Sequence, residues 1–227
     1  MDLLNWLKVI TAIITVIFSF IAGYIELRKN PKYWLNRIFA LFFSSVAMGF
    51  LLYTIYHLIL TNANIIVPIM VTAQILYNFG IISCLMTVFI LEKSEKIAMT
   101  PKYLGFCFVI FIAISFGFFI WIPTLNIEEY KQGIVDTETP LGWFLFVNVA
   151  RLVIFIFVLY KYAIITMHSE AQTKKRVIWF FYGALVGIIG VILNLIGGIL
   201  SSVIIEILGL VSFDIGEILI VKGFLIK

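Results

Sequence analysis

The sequence has little charge, few cysteines and few prolines. Charged residues make up 12% of the 227 residues and hydrophobic residues 63%, whereas an average soluble domain is about a quarter charged and about half apolar. A water-soluble domain is therefore excluded. Cys84 and Cys107 lie inside apolar runs, without the spacing of a zinc site or a disulfide framework, so we expect both to be buried as small hydrophobic side chains.

The sequence also lacks the short motifs that mark common enzyme classes. It contains no P-loop, no GxSxG, no HExxH and no paired histidines at metal spacing. Its net charge of +4 comes from basic residues in the connections between apolar runs. Basic residues in such places report how the chain is oriented in a membrane, and they do not form a surface patch that would bind nucleic acid. We therefore expect no enzymatic activity, no cofactor, no metal site and no nucleic-acid partner.

What the sequence does have is a series of long apolar runs. Each has the length of about 20 residues that a helix needs to cross a bilayer, and helices satisfy their own backbone groups in lipid. The sequence predicts an all-α integral membrane protein, a single seven-transmembrane helix bundle within the lipid bilayer of the cell membrane. The predicted spans are residues 4–27, 38–60, 65–91, 103–122, 141–165, 177–200 and 203–221. Since only Ser201 and Ser202 separate the last two, they are compatible with a hairpin or with one broken helix.

The basic residues predict the orientation of the bundle. Thirteen of the sixteen Lys and Arg residues fall on one side of the predicted membrane, and the positive-inside rule places that side in the cytoplasm. The N-terminus is then outside and the C-terminus cytoplasmic. These thirteen are Arg28, Lys29, Lys32, Arg37, Lys93, Lys96, Lys102, Lys161, Lys174, Lys175, Arg176, Lys222 and Lys227.

The connections carry two further signals. Asn30-Pro31, Thr100-Pro101 and Thr139-Pro140 each combine an N-cap residue type with a proline, a pattern typical of helix starts. The long outer connection, residues 124–140, is acidic. We expect it to be a solvated connector, with a lid over a ligand as the alternative.

Ionisable residues inside a span are costly and therefore candidates for function. The seventh span contains Glu206, Asp214 and Glu217, and at 100° per residue the last two lie about 80° and 20° from Glu206, on one helix face. Arg151 in the fifth span has nearly the depth of Asp214, so we predict an ion pair between Arg151 and Asp214. Such a pair is compatible with a structural clamp or with a ligand-binding or switch role.

Other polar residues are candidates for the same interior. Asn148 lies one turn above Arg151, Gln74 and Asn78 are four apart on the third span, and Asn194 lies on the sixth. These residues either hydrogen-bond between helices or contact a ligand. The sixth span also has a stripe of small residues that predicts close helix packing: Gly183, Gly187, Gly190, Asn194 and Gly197.

Three stretches resemble the N-terminal seven-transmembrane sensor region of histidine kinases. They are the basic loop followed by Asn36-Arg37 and Phe39-Ala40-Leu41, the basic loop Lys175-Arg176 followed by Gly183-Ala184-Leu185, and the last-helix exit from Ile220 to Ile226. The resemblance implies a seven-helix sensor with an outside N-terminus. It covers the sensor region alone, since these residues include no phosphorylatable-His dimerisation helix and no ATP-binding domain, and it carries over no catalytic residue.

Two functional hypotheses follow, beside the further possibility of a scaffold or assembly subunit of a larger membrane complex. The first is a receptor-like membrane sensor that detects an unknown small ligand and passes a helix shift to a separate cytoplasmic signalling partner. The alternative is a small transporter or channel with a polar path past Arg151 and Asp214. An inverted repeat of three plus three helices would favour transport, but the charged and glycine positions of the two halves do not correspond.

Overall fold

A computed structural model of the chain describes residues 2–59, 62–167 and 171–226, with the side chains of residues 171–174 and 176 left out. Leu60, at the predicted end of the second span, Lys227 and the side chains of Lys174 and Arg176 therefore lie outside the described residues. The elements, in chain order, are α1 (Leu3–Lys29), α2 (Trp34–Leu58), a 3-10 turn (Ala63–Ile65), α3 (Ile66–Lys93), α4 (Glu95–Ala98), α5 (Pro101–Ser115), α6 (Gly117–Ile120), β1 (Thr124–Leu125), α7 (Ile127–Lys131), β2 (Thr137–Glu138), α8 (Leu141–Met167), α9 (Ala171–Leu200) and α10 (Val203–Leu225).

Six stretches of helix are long and apolar enough to cross a membrane, and they indicate a multi-pass membrane protein. They are α1, α2, α3 with the turn before it, α5 with α6, α8, and residues 177–200 of α9. α10 has sufficient length but carries four ionisable residues, Glu206, Asp214, Glu217 and Lys222. Charges in a span are costly, and α10 is the one predicted span that is not among the six apolar stretches. Seven spans and their orientation therefore stay predictions.

The predicted helix starts are only partly correct. Thr100 is the N-cap of α5 and Pro101 its first residue, as expected. Asn30, by contrast, is the C-cap of α1, and α2 begins later, at Trp34. The Asn30 carboxamide accepts a hydrogen bond from the Lys32 N–H at 3.2 Å, a local turn in which an asparagine side chain competes with helix formation.

The long helices form a ring. α1 packs against α2, α2 against α3, α3 against α8, α8 against α9, α9 against α10, and α10 against α1, while α5 packs on the outside against α3 and α8. The centre of the ring is the place where six helices can present side chains to a shared interior. We call the end with the α1–α2 connection the inner end and the opposite one the outer end, after the predicted orientation.

The tightest contact in the ring joins α9 and α10. A Cβ built on Gly183 would lie 2.5 Å from the Gly216 carbonyl oxygen, and one on Gly190 would lie 2.8 Å from the Gly209 carbonyl oxygen. The predicted stripe of small residues therefore lets the two backbones approach each other, as small residues do in membrane helices. The two helices form an antiparallel hairpin, in which the Ser202 N–H donates to the Gly197 carbonyl at 2.8 Å.

An aromatic cluster fills the inner end of the ring. Phe39 contacts Tyr162 and Phe180 with ring centroids 6.0 Å apart, and Phe224 packs against Phe43 at 5.7 Å and Phe180 at 6.3 Å. We call these five side chains the inner aromatic cluster. Edge and offset contacts of this kind add to the stabilisation that burial of the rings provides.

The outer connection, residues 124–140, is folded onto the outer end. β1 and β2 pair antiparallel, with Thr124 opposite Glu138. Val135 is fully buried, and its N–H donates to the Asn5 side chain of α1 at 3.3 Å. The expectation of a solvated connector holds for most of these residues, which are exposed or partly exposed, but the buried Val135 and its backbone bond fix the connection to the bundle.

Candidate functional site

Two cavities lie along the centre of the helix ring. The inner cavity has a volume of about 210 Å³ and a mostly apolar lining, and the outer cavity has a volume of about 460 Å³ and a more polar lining that includes the outer connection. Five side chains line both cavities and so surround their junction: Tyr53, Gln74, Asn148, Arg151 and Asn194. Four of them are candidates identified from the sequence, and the fold brings these four together.

Arg151 is held against α3. Its Nε donates to Asn78 Oδ1 at 2.8 Å, and an Nη2 proton is donated to the Gln74 carbonyl oxygen at 3.0 Å. Its guanidinium also lies 5.9 Å from the centre of the Tyr77 ring. Asn78 is fully buried and donates in turn to the Ile114 carbonyl at 2.8 Å and Ser115 Oγ at 3.1 Å. Arg151 and Asn78 thus link α8, α3 and α5.

The predicted ion pair between Arg151 and Asp214 is wrong. Asp214 instead accepts a hydrogen bond from Thr15 Oγ1 at 2.6 Å. The two residues have similar depth, but α9 lies between α8 and α10 in the ring, and depth alone does not make two helices neighbours. Among the described residues, no carboxylate forms an ion pair with Arg151.

The three acidic residues of α10 face α1. Lys8 Nζ lies 3.0 Å from Glu206 Oε2, and Ser19 Oγ donates to Glu217 Oε1 at 3.0 Å. Together with the bond between Thr15 and Asp214, these contacts form a polar seam between the two helices. The shared face predicted for Glu206, Asp214 and Glu217 is therefore present. Glu206 lines the outer cavity, Glu217 lines the inner cavity, and Asp214 lines neither.

Sequence reasoning missed the α1 side of this seam. The residues recur at alternating spacings of three and four, which is the signature of one helix face. That spacing within the first apolar run could have identified them. They are Asn5, Lys8, Ala12, Thr15, Ser19, Ala22 and Glu26, all of them buried. Lys8 is the basic residue of this face, and it is buried.

Two buried polar atoms at the inner cavity lack a hydrogen-bond partner among the described residues. They are the hydroxyl of Tyr77 and Oε2 of Glu217, and both residues line the inner cavity. A buried polar group without a partner costs free energy, so these two atoms mark places where a ligand atom would be favourable. Asn148, by contrast, donates to Phe144 in its own helix at 2.9 Å.

The outer connection adds acidic groups at the outer end. Asp136 Oδ1 lies 3.9 Å from Lys8 Nζ. Burial and the neighbouring carboxylate of Asp136 raise the pKa of Glu129 above its ordinary value, because both disfavour the charged form. The connection therefore lines the outer cavity and contributes the carboxylates of Asp136 and Glu138 to it.

The cysteines are buried, as expected. Cys107 Sγ lies 3.9 Å from Met86 Sδ. Within residues 2–59, 62–167 and 171–226, no group of three or more His, Cys, Asp and Glu residues has a metal-binding arrangement.

Comparison of the chain with known proteins gave no match among family models, curated proteins or solved structures.

Proposed function

We propose that the chain is a receptor-like membrane sensor that binds a small ligand at the junction of the two cavities and passes a helix shift to a separate cytoplasmic partner. The observation that carries this proposal is the form of the interior. The outer and inner cavities meet at shared lining residues that include Arg151, and the inner aromatic cluster lies toward the inner end. We infer that these packed rings close the inner end, and an interior closed at one end suits ligand binding better than passage through the membrane.

α10 is the element that would carry the signal. It contributes Leu210, Phe213 and Glu217 to the inner cavity, and Phe224 near its end belongs to the inner aromatic cluster. Its contacts with α9 are made through glycines, which allow small sliding movements of packed helices. A ligand that displaces α10 would therefore move its inner end. The resemblance to the sensor region of histidine kinases supports the same function.

The partner is tested by copurification. The tagged protein is cross-linked in its native membrane, purified in mild detergent, and its partners are identified. We expect a signalling kinase or regulator to be retained by the wild-type chain and lost with Lys93→Glu combined with Lys96→Glu, because both lysines are exposed in the predicted cytoplasmic connection. The matched control is Lys131→Glu, an exposed lysine of the outer connection, which should keep the partner. Purification of the cross-linked wild-type chain alone would contradict the proposal.

A transporter is the second candidate, and the acidic groups of α10 favour it. Asp214 and Glu217 are one turn apart, each accepts a hydrogen bond from an α1 hydroxyl, and buried carboxyls of this kind occur in proton relays. Reconstitution in liposomes with an internal pH dye tests this candidate. Proton flux that is lost with Asp214→Asn would support transport and contradict the sensor, whereas a rate equal to that of protein-free liposomes would contradict transport.

A further inference from the structure

The charge of Arg151 has no counter-ion in the described part of the chain. Its Nε and Nη2 bind neutral acceptors, and Nη1 has no hydrogen bond to any described residue. A charged side chain at this depth in a membrane is costly unless it is paired. Arg151 lines both cavities, so a ligand in either one can reach the guanidinium.

We propose that Arg151 and Tyr77 bind the acid group of a small amphiphilic organic acid, whose apolar body occupies the inner cavity. This inference rests on the proposed function and names the class of ligand for the same site. The Tyr77 hydroxyl is buried without a partner, and its ring lies beside the guanidinium. An acid group can accept hydrogen bonds from both side chains, and such bonds to a charged donor are among the strongest in proteins.

Glu217 also lines the inner cavity, and it does not supply the missing charge. Its Oε1 accepts from Ser19 on the α1 side, whereas Arg151 is held on the α3 side. A buried carboxyl can bind a proton and become neutral, but a guanidinium keeps its charge. Arg151 is therefore the group that requires an anionic partner.

The size and lining of the inner cavity limit the apolar body. A cavity of roughly 150 Å³ holds a benzene molecule, and this one has a volume of about 210 Å³. It therefore admits one ring or a short chain and excludes the two acyl chains of a phospholipid. Phe50 and Phe155 are among the side chains that line it, and their rings provide an apolar contact surface.

Three carboxylates line the outer cavity through which the ligand would enter, those of Glu206, Asp136 and Glu138, together with Lys8. Glu206 and Asp136 both lie within 4.0 Å of Lys8, which offsets part of their charge. At the junction itself the other side chains are neutral: Tyr53, Gln74, Asn148 and Asn194. Arg151 is therefore the one charged side chain of the five that surround the junction.

Isothermal titration of the protein in phosphatidylcholine nanodiscs tests the inference. The probes are phenylacetate and hexanoate, with 2-phenylethanol and 2-phenylethylamine as matched neutral and cationic compounds. We expect the two acids to bind at least about tenfold more tightly than the alcohol or the amine, which cannot form the charge-assisted bonds. Absence of binding by both acids, or equal binding of the alcohol or the amine, overturns the inference.

Variants locate the binding. Arg151→Gln should weaken phenylacetate binding about tenfold or more, and Tyr77→Phe about fivefold, while Lys161→Gln, at a half-buried lysine of α8 that pairs with Glu92, should have no effect. Since Arg151→Gln also disturbs the bonds to α3, Arg151→Lys is a second variant that keeps the charge and should bind phenylacetate more tightly than Arg151→Gln. Unchanged affinity in both Arg151→Gln and Tyr77→Phe would contradict the assignment.

The source of the acid group is tested separately. In nanodiscs that contain phosphatidylglycerol, the affinity for phenylacetate should be unchanged, and a loss of affinity would show that a lipid headgroup occupies the site. Failure of acid binding while the cytoplasmic partner is retained would reject this inference and leave the sensor standing. Acid binding that depends on Arg151, together with solute flux, would keep the site and reject the sensor.

Discussion

Lys8 of α1 lies 3.0 Å from Glu206 of α10, and this lysine is only 1% exposed. Because removal of one partner from a buried pair leaves an uncompensated charge, Lys8→Met should lower the free energy of unfolding by about 3 kcal/mol. Thermal or denaturant unfolding in detergent measures this change. The matched control is Lys161→Met, which breaks a half-exposed pair with Glu92 and should cost less than about 1 kcal/mol. Equal effects of the two variants would contradict the burial of the Lys8 pair.

Asn78 should contribute more to stability than Asn148, although both are amides inside the bundle. Asn78 makes three hydrogen bonds to other helices, whereas the Asn148 bond stays within α8. Interhelical bonds in membrane proteins contribute about 0.6 kcal/mol each on average, so Asn78→Ala should destabilise by about 2 kcal/mol. Unfolding measurements should find a much smaller loss for Asn148→Ala, and the reverse order would show that Arg151 is not held through Asn78.

The glycine stripe offers a comparison between two positions one turn apart. A Cβ at Gly183 would lie 2.5 Å from a backbone oxygen of α10, but a Cβ at Gly187 would have its nearest neighbour at 3.9 Å. Gly183→Ala should therefore separate α9 from α10 and cost about 2 kcal/mol, as overpacking typically does. Gly187→Ala should be neutral or stabilising, because alanine favours the helix. Unfolding of the two variants decides the point, and equal stability would contradict the backbone contact.

The outer connection should dock more stably onto the bundle when Glu129 cannot carry a charge. Its pKa is raised in the folded chain, so the ionised form costs docking energy at neutral pH. This cost is absent below the ordinary glutamate pKa of about 4.3 and appears as the pH rises through the raised value. Glu129→Gln should therefore slow hydrogen exchange of residues 127–138 at pH 7 and leave it unchanged at pH 4.

The control for this pH dependence is Glu128→Gln, since Glu128 is the exposed neighbour in the same short helix. It should match the wild type at both pH values. Faster exchange in Glu129→Gln at pH 7 would mean that the charged carboxylate stabilises the docked connection, opposite to the sign expected here.

The long helices could be predicted from the sequence because each apolar run has the length of a span. The α9 stripe and the shared face of Glu206, Asp214 and Glu217 could also be predicted, since helical periodicity fixes which residues share a face. The partners across the bundle could not. Depth in the membrane gives only one coordinate, so Arg151 and Asp214 appeared adjacent although α9 lies between their helices.

The polar seam was hidden for a different reason. Thr15 and Ser19 hardly reduce the apolar character of the first run, so nothing in the run distinguishes them from ordinary residues of a span. Their role depends on α10, which is 198 or 199 positions away along the chain. The docking of the outer connection likewise depends on Val135 meeting Asn5, a contact that no local pattern indicates.

The proposed site should open to the outer side alone, and sided cysteine labelling tests this most directly. Asn148→Cys is placed at the cavity junction in a chain with Cys84→Ala and Cys107→Ala, and is exposed to a membrane-impermeant thiol reagent in right-side-out and inverted vesicles. The single-cysteine controls Lys131→Cys and Lys96→Cys report the outer and inner sides. We expect Asn148→Cys to react only in right-side-out vesicles, like Lys131→Cys. Reaction from both sides would contradict a closed inner end and favour transport.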